Sequence, residues 1–308
     1  MILVSGLVNI ETNLKVKEFP IPYFPIDYPF FQIESAVAGV GMNIVKALST
    51  LDDEVCLVSL IGKDEEGNRI RKTFETEQID TTYLKSTLKA TPLTVVLFDD
   101  TGKREIYCDL KDIQDQVLHI ENVDQVLKGC EVAIICNSNY NREILKEAKA
   151  LGKLVATDVH VLEDIRDTYN QAFMENADIL FLSDEKIPDK PKVFIEALSK
   201  AYPNQIIVLG RGSKGAMMYV RAEKKLYQVE AVNVRQVVNT VGAGDALFSA
   251  FLHYYIKGIQ PIEALKRAQV FAAYKIGESG AAKGFATEEV VNSLLENINF
   301  KISIFTIE

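Results

Sequence analysis

The chain is short of basic charge: 34 Lys and Arg stand against 43 Asp and Glu, a formal net charge of −9. General nucleic-acid binding needs basic surface to neutralise phosphates, so the composition sets that class aside. A small anionic ligand, which a few local Lys or Arg hold, stays open. No run approaches the roughly 18 consecutive apolar residues of a membrane span. Residues 1–8 are apolar but short, lack a basic leader and run into Asn9 and Glu11, so they read as a buried strand rather than a signal peptide. Cys56, Cys108, Cys130 and Cys136 form no Cys-x-x-Cys pair. Cys56, Cys130 and Cys136 lie in or beside apolar runs and read as small buried hydrophobes, which suits a reduced cytoplasmic compartment. His119, His160 and His253 are scattered, without metal-ligand spacing.

What is present is apolar enough for a sizeable core: 48% hydrophobic residues in 308, the length of one large α/β domain with or without a small appendage. Apolar, β-rich runs at 2–8, 55–61, 132–136, 154–158, 179–182 and 206–209 alternate with helical patterns at 43–51, 65–76, 142–150 and 192–201. Such alternation predicts a mostly parallel sheet covered on both faces, with ligands in the crevice at the carboxyl ends of the strands. Two stretches break the pattern. Residues 12–36 hold four of the nine Pro and the aromatics Phe19, Tyr23, Phe24, Tyr28, Phe30 and Phe31. Residues 91–109 read as a hairpin, 94–98 and 104–108, turning through Asp99-Asp100-Thr101-Gly102-Lys103. A small β-sheet lid explains both; two surface excursions without function are the plainer reading. The chain closes with helices near 245–257 and 261–276, a turn-rich stretch at 277–284 and a last helix near 287–296.

The strongest local signal is Asn239-Thr240-Val241-Gly242-Ala243-Gly244-Asp245 followed by an apolar helix. Gly242 and Gly244 allow a tight turn that brings backbone N–H groups to a ligand. A helix N-terminus binds anions through those donors and its dipole. A carboxylate there can take the proton of an attacking hydroxyl. Read by itself, Asp245 is equally well an N-cap.

The segment resembles the C-terminal signature of the PfkB, or ribokinase-like, carbohydrate kinases, written DTxGAGD. Five of its six specified letters are present, with Asn239 in place of the first Asp. The resemblance implies Asp245 as the base on the substrate hydroxyl and the amides of Gly242, Ala243 and Gly244 as an anion hole for the γ-phosphate. It extends along the chain. Gly6-Leu7-Val8-Asn9-Ile10-Glu11 is similar to the family's G-x-x-N-x-D, with Glu11 one methylene longer than Asp. Ala38-Gly39-Val40-Gly41-Met42-Asn43 is similar to its GGxGxN loop, and Gly62-Lys63-Asp64-Glu65-Glu66-Gly67 to its GxDxxG element. These imply sugar contacts from Asn9, Glu11, Gly39, Gly41 and Asn43, with Asn139 after the strand at 132–136. Ser183-Asp184-Glu185-Lys186 stands where the family carries N-x-x-E. Glu185 or Asp184 would serve Mg²⁺ through waters, or the stretch is an ordinary acidic turn. Gly210-Arg211-Gly212-Ser213-Lys214-Gly215 resembles the T-x-G-x-x-G nucleotide loop, so Ser183, Gly210, Arg211, Gly212, Lys214, Gly215 and Gly244 are expected around ATP. Residues 277–284 resemble the loop closing the adenine site; with Asn239 and Val241, Gly280 and Gly284 would hold a monovalent cation such as K⁺.

The resemblance therefore implies a three-layer α/β fold with a lid at about 12–36 and 91–109. It implies an ATP- and Mg²⁺-dependent kinase acting on a sugar, and a homodimer joined through the lid. A nucleoside kinase of the same fold, stacking a base on the aromatics of 19–31, is the second reading. A binding or regulatory protein that kept the fold and lost activity is the third, motivated by Ser183, Lys186 and Gly210.

Overall fold

The computed structural model describes residues 1–187 and 190–307. In chain order the strands are β1 (Ile2–Ser5), β2 (Asn9–Lys15), β3 (Ile33–Ala38), β4 (Val55–Gly62), β5 (Tyr83–Leu88), β6 (Leu93–Phe98), β7 (Arg104–Asp109), β8 (Val132–Ile135), β9 (Leu154–Val161), β10 (Ile179–Ser183), β11 (Ile206–Gly210), β12 (Ala216–Val220), β13 (Lys225–Val229) and β14 (Ile302–Thr306). The helices are α1 (Val40–Thr50), α2 (Glu65–Thr76), α3 (Asp124–Gly129), α4 (Arg142–Ala150), α5 (Gln171–Asn176), α6 (Pro191–Ala201), α7 (Ala243–Ile256), α8 (Pro261–Lys275) and α9 (Glu288–Leu295).

The main sheet has the order β14-β13-β12-β11-β10-β9-β8-β1-β4-β5. From β5 to β11 every pairing is parallel; β12, β13 and β14 extend the sheet antiparallel. Side chains alternate between two buried cores, as a sheet covered on both faces requires. Ile2 and Val4, Ile179 and Phe181, and Ile206 and Val208 join the core under α1, α2, α7, α8 and α9. Leu3, Leu180, Leu182, Ile207 and Leu209 join the core under α3, α4, α5 and α6. This is the three-layer α/β arrangement the sequence predicts. Among the described residues no helix is long and apolar enough to cross a membrane.

The N-terminal run is not one strand over 2–8. It breaks after Ser5 because Gly6 lies against α1: a Cβ on Gly6 would meet Cys136 Sγ at 2.6 Å and Gly41 Cα at 3.0 Å. The chain turns there and leaves the main sheet as β2. The lid is a separate sheet, β3-β2-β6-β7, in which β2 pairs parallel with β6 and antiparallel with β3. Its first segment starts at Asn9 and ends at Ala38, wider than the 12–36 expected, while residues 16–32 form an irregular strap between β2 and β3. β5 was not expected from the sequence, and nor were the three antiparallel strands β12, β13 and β14. Their apolar alternation is short and interrupted by turns, and only the antiparallel ladder makes them strands.

Candidate active site

Asp245 is the third residue of α7, whose N-cap is Gly242 at φ 77°. It is therefore not the N-cap, and the plain capping reading fails. A Cβ at position 242 would meet Ala281 O at 2.6 Å, so close approach as well as backbone conformation calls for glycine there. The Asp245 carboxylate instead accepts a hydrogen bond from Asn43 Nδ2 at 2.7 Å. That bond joins two segments about 200 residues apart in the chain. Burial pushes the Asp245 carboxyl up to about 6; His160 and the Asn43 bond pull it down, Asp158 pushes it further up, and Lys275 pulls it down. A carboxyl so placed is ionised at neutral pH and basic enough to take a proton.

The anion-hole amides are not equivalent. Ala243 N–H donates back to Thr240 O at 3.2 Å, which withdraws it from a ligand. The Gly242 and Gly244 amides have no protein acceptor among the described residues, as first-turn donors require if they are to meet an anion.

The lid strand β2 presents Asn9, Glu11 and Asn13 on one face, all buried. Asn9 Nδ2 donates to Thr94 Oγ1 at 2.6 Å, and Asn13 Nδ2 to Glu11 Oε1 at 2.9 Å. Burial raises the Glu11 carboxyl, against the Asn13 bond, the Lys275 charge and the Ala281 amide. Asn9, Asn13 and Asn43 each keep a buried side-chain carbonyl oxygen without a partner. Buried acceptors are ordinarily satisfied, so these three mark places for donors brought by a ligand. Gly39, at φ 99°, and Gly41 shape the turn into α1, where Gly41 N–H donates to Leu7 O at 2.8 Å.

The lid sits down on this crevice. Arg104, on β7, donates to Thr240 O at 3.3 Å and Thr240 Oγ1 at 3.1 Å, and pairs with Glu185 at 2.8 Å. Glu34, on β3, pairs with Lys283 and accepts from Ser279 Oγ at 3.4 Å. Val96, Val241 and Ala281 close a small apolar contact beneath.

At the nucleotide side, Ser183 and Gly210 lie at the adjacent carboxyl ends of β10 and β11. Arg211 pairs with Asp184 at 3.4 Å, and Gly212 and exposed Lys214 form a single helical turn before Gly215. Gly215, at φ 89°, leaves no space for a Cβ, which would fall 2.1 Å from Val229 O. Arg211, Ser213, Lys214, Gln228, Glu230 and Ala231 line a groove beside this turn. Among the described residues no three His, Cys, Asp or Glu cluster to hold a metal. Glu185 stands exposed at the mouth, its Oε1 on Arg104.

Asn139 lies elsewhere in its bonding. Its N–H and Nδ2 donate to Gln114 and its Oδ1 accepts from Arg142, each at 3.0 Å. Of the residues the sequence reading did not single out, Asn13, Arg104, His160 and Lys275 touch or influence the site. Asn13 was legible as the next alternate position on β2 after Asn9 and Glu11. His160, at φ 58° on the end of β9, carries no local signal.

A family profile described as pfkB family carbohydrate kinase matches residues 1–288. Acarbose 7(IV)-phosphotransferase of Actinoplanes sp. is 25% identical over 276 residues, 89% of this chain and 91% of that one. Deoxyribokinase of Salmonella typhi is 25% identical over 305 residues, 94% and 96% of the two chains. Among solved structures, a microbiome-derived acarbose kinase superposes with a TM-score of 0.86 at 23% identity, covering 96% of this chain and 98% of that one. Arabidopsis thaliana ribokinase, complexed with ribose and ATP, gives a TM-score of 0.78 at 18% identity over 96% and 98%. At these identities the structural likeness speaks for the fold.

Proposed function

The chain belongs to the pfkB family of carbohydrate kinases, ATP-dependent phosphotransferases acting on hydroxyl groups, and from that premise we propose that it phosphorylates a sugar hydroxyl with Asp245 as general base. The observation that carries the reading is the Asn43–Asp245 bond, which sets a carboxylate beside the free amides of Gly242 and Gly244. The acceptor oxygen attacks the γ-phosphorus in line as the bond to the β–γ bridging oxygen breaks. Asp245 takes the hydroxyl proton, and the Gly242 and Gly244 amides stabilise charge on the transferring group. Mg²⁺ held on the phosphates, near Glu185, would neutralise their charge. Ser183, Gly210, Arg211, Gly212, Lys214 and Gly215 take the nucleotide.

The unpartnered carbonyl oxygens of Asn9, Asn13 and Asn43 favour a hydroxyl-rich acceptor, which supplies donors, over the flat face of a base. The first relatives compared act on acarbose and deoxyribose by their names, which supports a carbohydrate. We assign Glu11 to the acceptor's hydroxyls as well. Arg104 and Glu34 hold the lid shut over the reaction, excluding water.

Ile33, Val95 and Tyr107 stand exposed on the outward lid face, 59%, 41% and 54% accessible. Apolar exposure in one patch marks a contact surface and supports pairing of two lids in a homodimer. A cytoplasmic setting agrees with four free cysteines, three of them buried.

Asp245→Asn tests the base. Turnover is expected to fall by at least the 10²–10⁴-fold of general-base catalysis, while ATP binding, measured by calorimetry, is retained. A variant keeping more than about a tenth of the wild-type kcat would refute the assignment.

A further inference from the structure

Lys275 is the last residue of α8 and is wholly buried. Burying an ammonium is costly unless it is paired and hydrogen-bonded, so its position requires a partner. Its Nζ donates to the backbone carbonyl of Val241, immediately before the anion-binding turn. Burial pushes its pKa down to about 8; Asp245 on α7 and Glu11 on β2 hold it up, and Arg104 on β7 and Arg235 push it further down.

Three of the four positions where the family resemblance implies a monovalent metal ion, Asn239, Val241 and Gly284, do not fit one. Asn239 turns its Oδ1 to the Val241 N–H at 2.8 Å, and its Nδ2, a donor, is buried without a partner. The Val241 carbonyl is taken by Lys275. The Gly284 carbonyl accepts from Arg235 at 3.4 Å, and the Arg235 guanidinium lies 3.9 Å over the Tyr274 ring. An amide NH₂, an ammonium and a guanidinium surround the place, and each repels a cation.

We propose that Lys275 is a resident cation, a tethered ammonium that does beneath the anion hole what a monovalent metal ion would do, so that this kinase needs neither K⁺ nor NH₄⁺. The proposal rests on the phosphotransfer reading above. The Val241 carbonyl and the Gly242 N–H belong to one peptide group. Drawing charge through the carbonyl makes that N–H a stronger donor to the transferring phosphate. The ammonium also adds positive field in a site from which the lid excludes water. Lys275 is thus a positioning residue: it touches the loop, not the reacting atoms.

The test compares wild type, Lys275→Met and Lys275→Ala in NaCl, KCl and NH₄Cl at constant ionic strength. ATP turnover is measured on the best acceptor, and Tm is measured without any acceptor. Wild-type kcat and Tm are expected to be the same in the three salts within about two-fold and about 1 °C. Lys275→Met fills the space without charge but leaves the Val241 carbonyl unpaired, so some loss of stability is expected and its kcat is read at a temperature well below its own Tm. Its kcat should drop on the order of 10²-fold in every salt. Lys275→Ala opens room for an ion, and both its turnover and its Tm should rise saturably with NH₄⁺ or K⁺ but not Na⁺. Wild-type activation of more than about five-fold by K⁺ would overturn the proposal. So would a Lys275→Met enzyme with undiminished kcat, or a Lys275→Ala protein whose Tm ignores K⁺ and NH₄⁺. The Tm series stands without turnover, so failure to find an acceptor would count against the sugar-kinase reading and leave this one to its own result.

Discussion

Replacing Asn43 by Leu removes both the donor that holds the base and the Oδ1 offered to the acceptor, and pH separates the two effects. Asn43 Nδ2 lies 2.7 Å from Asp245 Oδ2, and a hydrogen bond to an ionised group is worth about 1.5–3 kcal/mol. Leucine is close in size and removes the donor. Burial, which lifts the carboxyl to about 6, remains, as do the opposing fields of His160 and Lys275 and the reinforcing field of Asp158. The lost bond favoured the carboxylate, so its removal raises the pKa further. At about 1.4 kcal/mol for each pH unit, the acidic limb of kcat/KM should move up by about one to two, from near 6 to between about 7 and 8. At pH 7 the shift itself costs about two- to ten-fold in kcat/KM and is recovered on the alkaline side of the new limb, on top of a pH-independent loss from the missing Oδ1 contact to the acceptor. The assay is initial-rate phosphorylation from pH 5 to 9 with a coupled ADP readout that is itself checked at each pH. An acidic limb unmoved in the variant, with a uniform drop at every pH, would refute the reasoning and give that limb to another group.

Two further outcomes follow from the lid. Glu11→Gln should raise KM for the acceptor by about ten-fold or more through loss of charge-assisted bonds with a smaller change in kcat, and Glu11→Asp should reorder acceptors; kinetics unchanged in both variants would remove Glu11 from the acceptor site. Light scattering at micromolar concentration should give twice 34.4 kDa, and Tyr107→Lys on the outward lid face should halve it; a wild-type monomer would refute the dimer while leaving the lid sheet intact.

Much of this molecule was legible from local pattern. The apolar runs that became β4, β8, β9, β10 and β11 are buried on both faces, and such strands announce themselves without partners. Glu65–Thr76 and Arg142–Ala150 matched their predicted helices end to end, because amphipathic period is also a local property. Asp245, Asn43 and the glycine turns were found because tight turns and helix starts restrict residue type within a few positions.

Other features were decided by packing. Nothing near His160 indicates that β9 ends facing Asp245, and nothing in Arg104 indicates that a hairpin folds back onto Thr240. Asn139 occupied the expected place after β8, yet its bonds to Gln114 and Arg142 depend on a neighbour that the chain brings from residue 114. Lys275 is the sharpest case. As a sequence feature it is an ordinary lysine in the last turn of a helix, where a cation suits the dipole. Its burial follows only from the packing of α8 on α7 with the lid above, which leaves the Val241 carbonyl as its partner. Residue type and spacing determined which segments could do the chemistry; charge in a low-dielectric interior depends on distances between segments far apart in the chain, and those distances exist only in the folded state.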